Sequence, residues 1–152
     1  MSEHHATIRW NRTSDDFTYM SYNRDHEWAF GGGSSIRASA APEYKGDASL
    51  VNPEEAFVAA LSSCHMLTFL ALCTKKKLIV NEYVDEAIGH LGKLDDGRLA
   101  VTKVVLRPRV EFAPDASPTP DALHELHEQS HQMCFISNSV TTDVTVEEAA
   151  AV

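Results

Sequence analysis

The sequence predicts an α+β domain in which extended segments pack around one long apolar helix. Short alternating or β-branched runs, broken by Gly, Pro and Asn/Asp clusters, recur along the chain. One apolar segment, "AFVAALSSCHMLTFLALC" (56–73), is far longer than a strand. Strands, helix, strands, helix and strand then follow in that order, a segregated pattern that belongs to the α+β class. At 152 residues the chain suits a single domain over 1–152, or one subunit of a compact oligomer.

In the N-terminal third, "ATIRW" and "FTYMSYN" are expected as strands, with "NRTSDD" turning between them. "EWAF" and "SSIRASA" flank the glycine turn "GGG", and residues 42–51 form a loop. The long helix opens at Asn52-Pro53-Glu54-Glu55. Asn52 is a good N-cap, Pro53 suits the first turn, and Glu55 three residues on completes a capping box. The helix is expected to run to about Lys76, where Lys75, Lys76 and Lys77 complement its negative end. Its interior is apolar nearly all round, so it needs cover on most faces, and in so small a chain a partner subunit is one source of cover. Beyond it, "LIVNEYVDEAIGHLGKL" and "RLAVTKVVLRPRVEFA" are extended runs joined by "DDG". Val101, Val104 and Leu106 alternate only approximately, which signals a bulge or two-sided burial. "PDASPTPD" connects to a second helix over about Pro120 to Cys134, with Ser117 and Thr119 as candidate caps, and "SVTTDVTVEE" is a closing strand.

Composition removes several function classes. The net charge of −9 argues against a nucleic-acid partner, since phosphate neutralisation needs clustered Lys and Arg. Apolar residues at 43% and charged residues at 23% fit a soluble globular protein. "MSEHHATIRW" has no secretory h-region, and the Met66–Cys73 apolar run is too short to cross a bilayer, so no membrane partner is expected. Three cysteines, at 64, 73 and 134, form neither a disulfide framework nor a zinc pattern. A cytoplasmic protein with reduced thiols is the expectation, in which any disulfide would be transient and catalytic.

The cysteines differ by position. Cys64 and Cys73 are nine residues apart, on opposite faces of one helix and about 13 Å apart along it, so they cannot form a disulfide with each other. Cys73, among Leu70, Ala71 and Leu72, reads as core. To act as a nucleophile, Cys64 must be a thiolate near neutral pH, which requires nearby positive charge. Deep in a helix it gains little from the N-terminal dipole. The sources open to it are His65 and an arginine from the strand-rich part. Whether Cys134, at the end of the second helix, meets Cys64 is a property of the fold.

"NPEEAFVAALSSCHMLTFL" resembles the central-helix motif of the OsmC/Ohr family of cysteine-based peroxidases, with Glu54 ten residues before Cys64. "SHQMCFISNSV" is similar to the family's second signature, placing Cys134 before a Ser-Asn pair. The resemblance implies an OsmC-like fold, with antiparallel sheets around a long central helix, and a thiol peroxidase acting on organic hydroperoxides. Cys64 would be oxidised to a sulfenic acid, Cys134 would close a Cys64–Cys134 disulfide, and an external dithiol of lipoyl or thioredoxin type would reduce it, with no bound cofactor. It also implies an arginine paired to Glu54 beside the reactive sulfur. Arg24 in "SYNRDHEW" matches best, and Arg37 in "SSIRAS" is the rival. Phe135, His65 and "SLVNPEE" depart from the commoner pattern. Ten helical residues put Glu54 about 15 Å from Cys64, so one guanidinium cannot bridge both within a straight helix. Either the helix breaks between them or the glutamate comes from a second subunit; together with the all-round apolar helix, this predicts an intertwined homodimer with sites built from both chains.

Two other constellations compete. A non-catalytic dimeric module of the same fold would bind a small apolar ligand, and Cys64 would be an ordinary thiol. His124, His127 and His131, at i, i+3 and i+7, could instead hold a metal, although they are expected to form a solvated edge interleaved with Glu125 and Glu128. Tyr19, Tyr22, Trp28 and Phe30 are expected as strand aromatics, and Phe69 and Phe135 as walls of an apolar peroxide pocket.

Overall fold

In a computed structural model that describes residues 1–149, the chain forms two compact units, Met1–Ala56 and Phe57–Val152. The first is an antiparallel meander in the order β1 (Ala6–Arg9), β2 (His26–Phe30), β3 (Ser35–Ala38). Trp28 on the central strand is flanked by Ile8 and Ile36. The glycine turn between β2 and β3 places Gly33 at φ 86, a conformation few other residues tolerate.

The expected strand "FTYMSYN" is a turn instead. The N–H groups of Ser21 and Tyr22 both donate to the Thr18 carbonyl, and the Thr18 N–H donates to the Ser21 hydroxyl. Hydroxyl bonds of this kind offer the backbone an alternative to a sheet ladder. The aromatic residues cluster here rather than alternating, with Phe17 and Tyr22 ring centroids 5.6 Å apart and Trp10 5.9 Å from Phe17. The unit closes with the capping box as read. Glu55 N–H donates to Asn52 Oδ1 at 2.9 Å, and Asn52 N–H donates back to Glu55 Oε2 at 3.1 Å.

This box starts α1 (Pro53–Lys75), which continues into the second unit. There the chain adds β4 (Val80–Asp85), β5 (Ile88–Lys93), β6 (Leu99–Leu106), β7 (Pro108–Phe112), α2 (Pro120–Met133) and β8 (Asp143–Val146). Both long extended runs break in the middle, because each serves two sheets. β4 pairs with β7, whereas β5 and β6 form a hairpin that β8 joins in parallel along β6. Asp85 sits at the shared corner, where its Oδ1 accepts from the Arg107 N–H at 2.6 Å. The irregular alternation in β6 comes with a register shift against β5 at His90/Leu91. Thr119 caps α2 by accepting from the Ala122 N–H, with Pro120 in the first turn.

Two apolar clusters hold the second unit. One gathers Phe69, Leu72, Cys73, Val110, Phe112, Leu123 and Leu126. The other centres on Leu61, Val104 and Leu106. Taken whole, α1 is long and apolar enough to cross a membrane by length and composition, which the Met66–Cys73 run alone is not. It is instead a core helix, burying Leu61, His65, Phe69, Leu72 and Cys73. Its other faces stay open, and Leu67 is 60% exposed.

The hairpin approaches α1 most closely at Gly89, where an added Cβ would stand 2.5 Å from Val58 Cγ2. Valine is stiff at χ1, so the helix or the strand must shift to make room. Gly89→Ala is therefore expected to destabilise by about 1–3 kcal/mol in urea titration. Gly32→Ala, where nothing lies within 4 Å, should leave the midpoint unchanged.

Candidate functional site

Cys64 lies mid-way along α1 and is partly accessible, whereas Cys134 follows the last turn of α2 and is 1% exposed. The fold brings them together: Cys64 is the neighbouring side chain that acts on the Cys134 thiol, and both are free. Burial pushes the Cys134 thiol up to about 11, and Cys64 beside it adds to this. The turn after α2 opposes the shift only partly, through the N–H groups of Ser137, 3.4 Å from the sulfur, and of Ile136. Cys73 is core, and desolvation also raises its thiol to about 11. The pair is thus unequal, an accessible sulfur facing a buried thiol that holds its proton.

Around Cys64, α1 is fixed by polar ties. Ser62, two residues before it, donates to Asp85 Oδ2, and Thr68 donates to the Cys64 carbonyl at 2.9 Å. Asp85 thereby links the helix to the corner where both sheets exchange strands.

His65 turns inward and meets His127 of α2, with His65 Nε2 3.1 Å from His127 Nδ1. The residues are 1% and 2% exposed, and the rings are within 7° of parallel. Their centroids lie 5.4 Å apart, too far for face-to-face stacking at this nitrogen separation, so the bond runs edge to edge in one shared plane. Phe69 covers the His127 face at a centroid distance of 4.5 Å. The outer nitrogens, His65 Nδ1 and His127 Nε2, have no hydrogen-bond partner among the described residues. Desolvation, aided by His127 and His131, lowers His65 to about 4; His127 is lowered by desolvation too, against the pull of Glu148 and Asp85.

In the α2 histidine stripe His124 keeps the expected solvated position, paired to Glu148 at 2.7 Å and raised by that bond, and His131 is half-buried beside Ser137. His127 is the correction. It sits on the helix face of Leu123, Leu126 and Ser130, all buried, and that spacing was the available signal. No cluster of three metal-ligating side chains exists among the described residues. Of the expected pocket walls, Phe69 is wholly buried in the core, and Phe135 is 82% exposed.

In the first unit, the Arg24 guanidinium donates to the carbonyls of Tyr22 and Tyr19 and lies 3.7 Å from the Tyr22 ring centroid. No ion pair joins it to Glu54 among the described residues; Arg24 Nε and Glu54 Oε2 are both buried without a hydrogen-bond partner. Arg37 is committed to Asp25 at 3.3 Å. A cavity of about 420 Å³, lined among others by Trp10, Phe17, Tyr22, Arg24, His26 and Pro53, opens beside Arg24. The sequence held no sign of it, because these aromatics read as strand residues.

A second unit of two sheets and a long helix, with a second helix delivering one cysteine to another, defines a class that comparison identifies. The family model described as OsmC-like protein matches residues 46–149, and the chain belongs to that family. An OsmC-like protein of unknown function from Vibrio cholerae O1 biovar eltor str. N16961 is 49% identical, with a TM-score of 0.94 over 98% of this chain and 100% of that one. The uncharacterized protein YmaD of Bacillus subtilis (strain 168) is 25% identical over 100% of this chain and 97% of its own length. An organic hydroperoxide resistance protein from Legionella pneumophila shares the fold at a TM-score of 0.69 and 14% identity, covering 100% of this chain and 98% of that one.

The buried pair predicts acid lability. An unfolded chain binds protons at ordinary histidine values near pH 6.5, whereas folded His65 does so only at about pH 4. Stability is therefore whole above the upper value and declines as pH falls between the two, by on the order of 3 kcal/mol from His65. His65→Gln, which keeps an amide near the Nε2 position but cannot titrate, should flatten the dependence of the urea midpoint between pH 7 and pH 4.5 relative to wild type.

Proposed function

We propose that the chain is a cysteine-based peroxidase that reduces organic hydroperoxides to alcohols. The observation that carries this is the meeting of an accessible Cys64 with a buried Cys134 thiol. In the first step the Cys64 thiolate attacks the outer peroxide oxygen and the O–O bond breaks. The alkoxide leaves and takes up a proton, and Cys64 becomes a sulfenic acid. Cys134, as thiolate, then attacks that sulfur and displaces hydroxide, which leaves as water with the proton Cys134 gave up. The Cys64–Cys134 disulfide returns to two thiols at the expense of an external dithiol, of lipoyl or thioredoxin type.

Arg24 is the proposed cation beside the peroxide and Glu54 its proposed carboxylate partner, as in the relatives the motif resembles. Since α1 is unbroken from Pro53 to Lys75, Glu54 and Cys64 of one chain stay about 15 Å apart along the axis. A homodimer resolves this by setting the Glu54 of one chain at the sulfur of the other. The open apolar faces of α1 support such an assembly.

The competing proposal, a non-catalytic module for a small apolar ligand, draws on the aromatic cavity beside Arg24. It requires ligand binding that survives Cys64→Ser, without peroxide consumption.

Cys64→Ser should reduce turnover of an organic hydroperoxide to background. Cys134→Ser should consume one equivalent and then stop, leaving a Cys64 sulfenic acid that dimedone captures. Arg24→Ala should slow Cys64 oxidation about tenfold or more in stopped flow at neutral pH, through loss of the charge that favours the thiolate. Peroxide treatment that leaves both thiols free by mass spectrometry would sink the peroxidase assignment. In sedimentation the active species should have the mass of a dimer, and an active monomer would overturn the shared-site arrangement.

A further inference from the structure

The peroxidase scheme leaves one built feature unused, the buried histidine pair. It joins the two elements that carry the sulfurs. His65 directly follows Cys64 on α1, and His127 stands seven residues, about two turns, before Cys134. Apart from the cysteine contact, theirs is the one side-chain hydrogen bond between α1 and α2 among the described residues. A core histidine with no task is readily replaced by a leucine of similar volume. Two that meet ring to ring, sealed under Phe69 with their outer nitrogens unpartnered, incur a desolvation cost that only their mutual bond offsets.

We infer that His65 and His127 are positioning residues for the resolving step, holding α2 against α1 so that Cys134 stands ready when Cys64 becomes a sulfenic acid. This rests on the peroxidase scheme above. Two neutral imidazoles carry two N–H protons: one fills the bond between the rings and the other sits on an outer nitrogen. Either tautomer pair satisfies the bond. The first proton added to the pair takes the vacant outer nitrogen and leaves the bond between the rings in place. It puts a charge where water does not reach, so the protonated pair gains hydration when α2 parts from α1. The groups facing the pair are His131 and His124 on α2, Asp85 on β4 and Glu148 beyond β8. Only the two carboxylates favour that charge, and they act on His127 alone. The tie therefore holds at neutral pH and loosens in acid, when α2 is free to draw Cys134 from the sulfenic acid.

The test is a competition on the full chain. One equivalent of organic hydroperoxide is added with excess dimedone, and mass spectrometry gives the ratio of Cys64–Cys134 disulfide to Cys64 adduct. The double variant H65L/H127L, apolar at both positions, should lower the ratio at pH 7 at least tenfold while total Cys64 oxidation stays close to wild type. H65Q/H127N, whose amides stand near the two bonded nitrogens, should restore the ratio to within a few-fold. Any thiolate attack slows as pH falls, so the pH readout is the wild-type ratio divided by the H65Q/H127N ratio. That quotient should be flat from pH 7 to 6 and fall several-fold by pH 4. An unchanged ratio in H65L/H127L, or a flat quotient down to pH 4, overturns the inference. If H65L/H127L does not fold, the quotient alone decides it. Absence of any Cys64 oxidation in wild type is a failure of the peroxidase scheme instead. Positioning is then read from the yield of Cys64–Cys134 disulfide that diamide produces in the same three proteins at pH 7, where equal yields overturn the inference.

Discussion

The second unit is organised by one buried stripe of α1. Leu61, His65, Phe69 and Leu72 follow at helical spacing, each with almost no exposed surface. Leu61 belongs to the cluster under β6, while Phe69 and Leu72 belong to the cluster of β7 and α2. A single helix thus serves two apolar clusters, and His65 occupies the seam between them. The accessible sulfur at 64 is one residue off this stripe, so its position follows from burial of its neighbours. Burial of about 1.5–3 kcal/mol per large apolar side chain outweighs any single polar bond at the site. The hydrogen bonds set orientation on a frame that packing has already fixed.

The same packing separates the two thiols chemically. Cys134 has its sulfur in the interior, where desolvation favours the protonated form, and two N–H groups of the following turn do not cancel that effect. Cys64 keeps part of its surface. An accessible sulfur is open to a substrate, whereas a buried thiol beside it is reached only by that sulfur. A peroxidase cycle needs this division between first and second cysteine. A symmetric, equally exposed pair would allow either sulfur to be oxidised first.

Much of this was legible in the sequence because it rests on local chemistry. The capping box at Asn52 and Glu55, the Thr119 cap and the glycine turn after Phe30 each obey rules that act within four residues. The split of the first long run was not legible, because sheet exchange at Asp85 is a long-range event, whereas Pro108 in the second run marked the break between β6 and β7 and was read as part of one strand. The "FTYMSYN" turn was missed because the Thr18 and Ser21 hydroxyls overrode β propensity. The cysteines were legible as motif and only the fold brought them into contact. Phe69 was misplaced as a pocket wall because periodicity shows that a residue faces inward without saying what it faces.

His127 shows how far pattern reading extends. Three histidines at i, i+3 and i+7 look alike along the chain, yet one binds a carboxylate at the surface and one lies in the core. The difference lies in their neighbours on the helix face. Leu123, Leu126 and Ser130 surround His127, so it follows the apolar stripe inward. Once inside, an imidazole needs a partner, and β4 and β7 present mainly apolar surface there. The partner comes from the helix that carries Cys64, at His65. A polar residue at 65 and a polar residue at 127 are each unfavourable alone, and they are compatible only as a pair. Two buried histidines that are satisfied only together join the helices that lead to the two sulfurs.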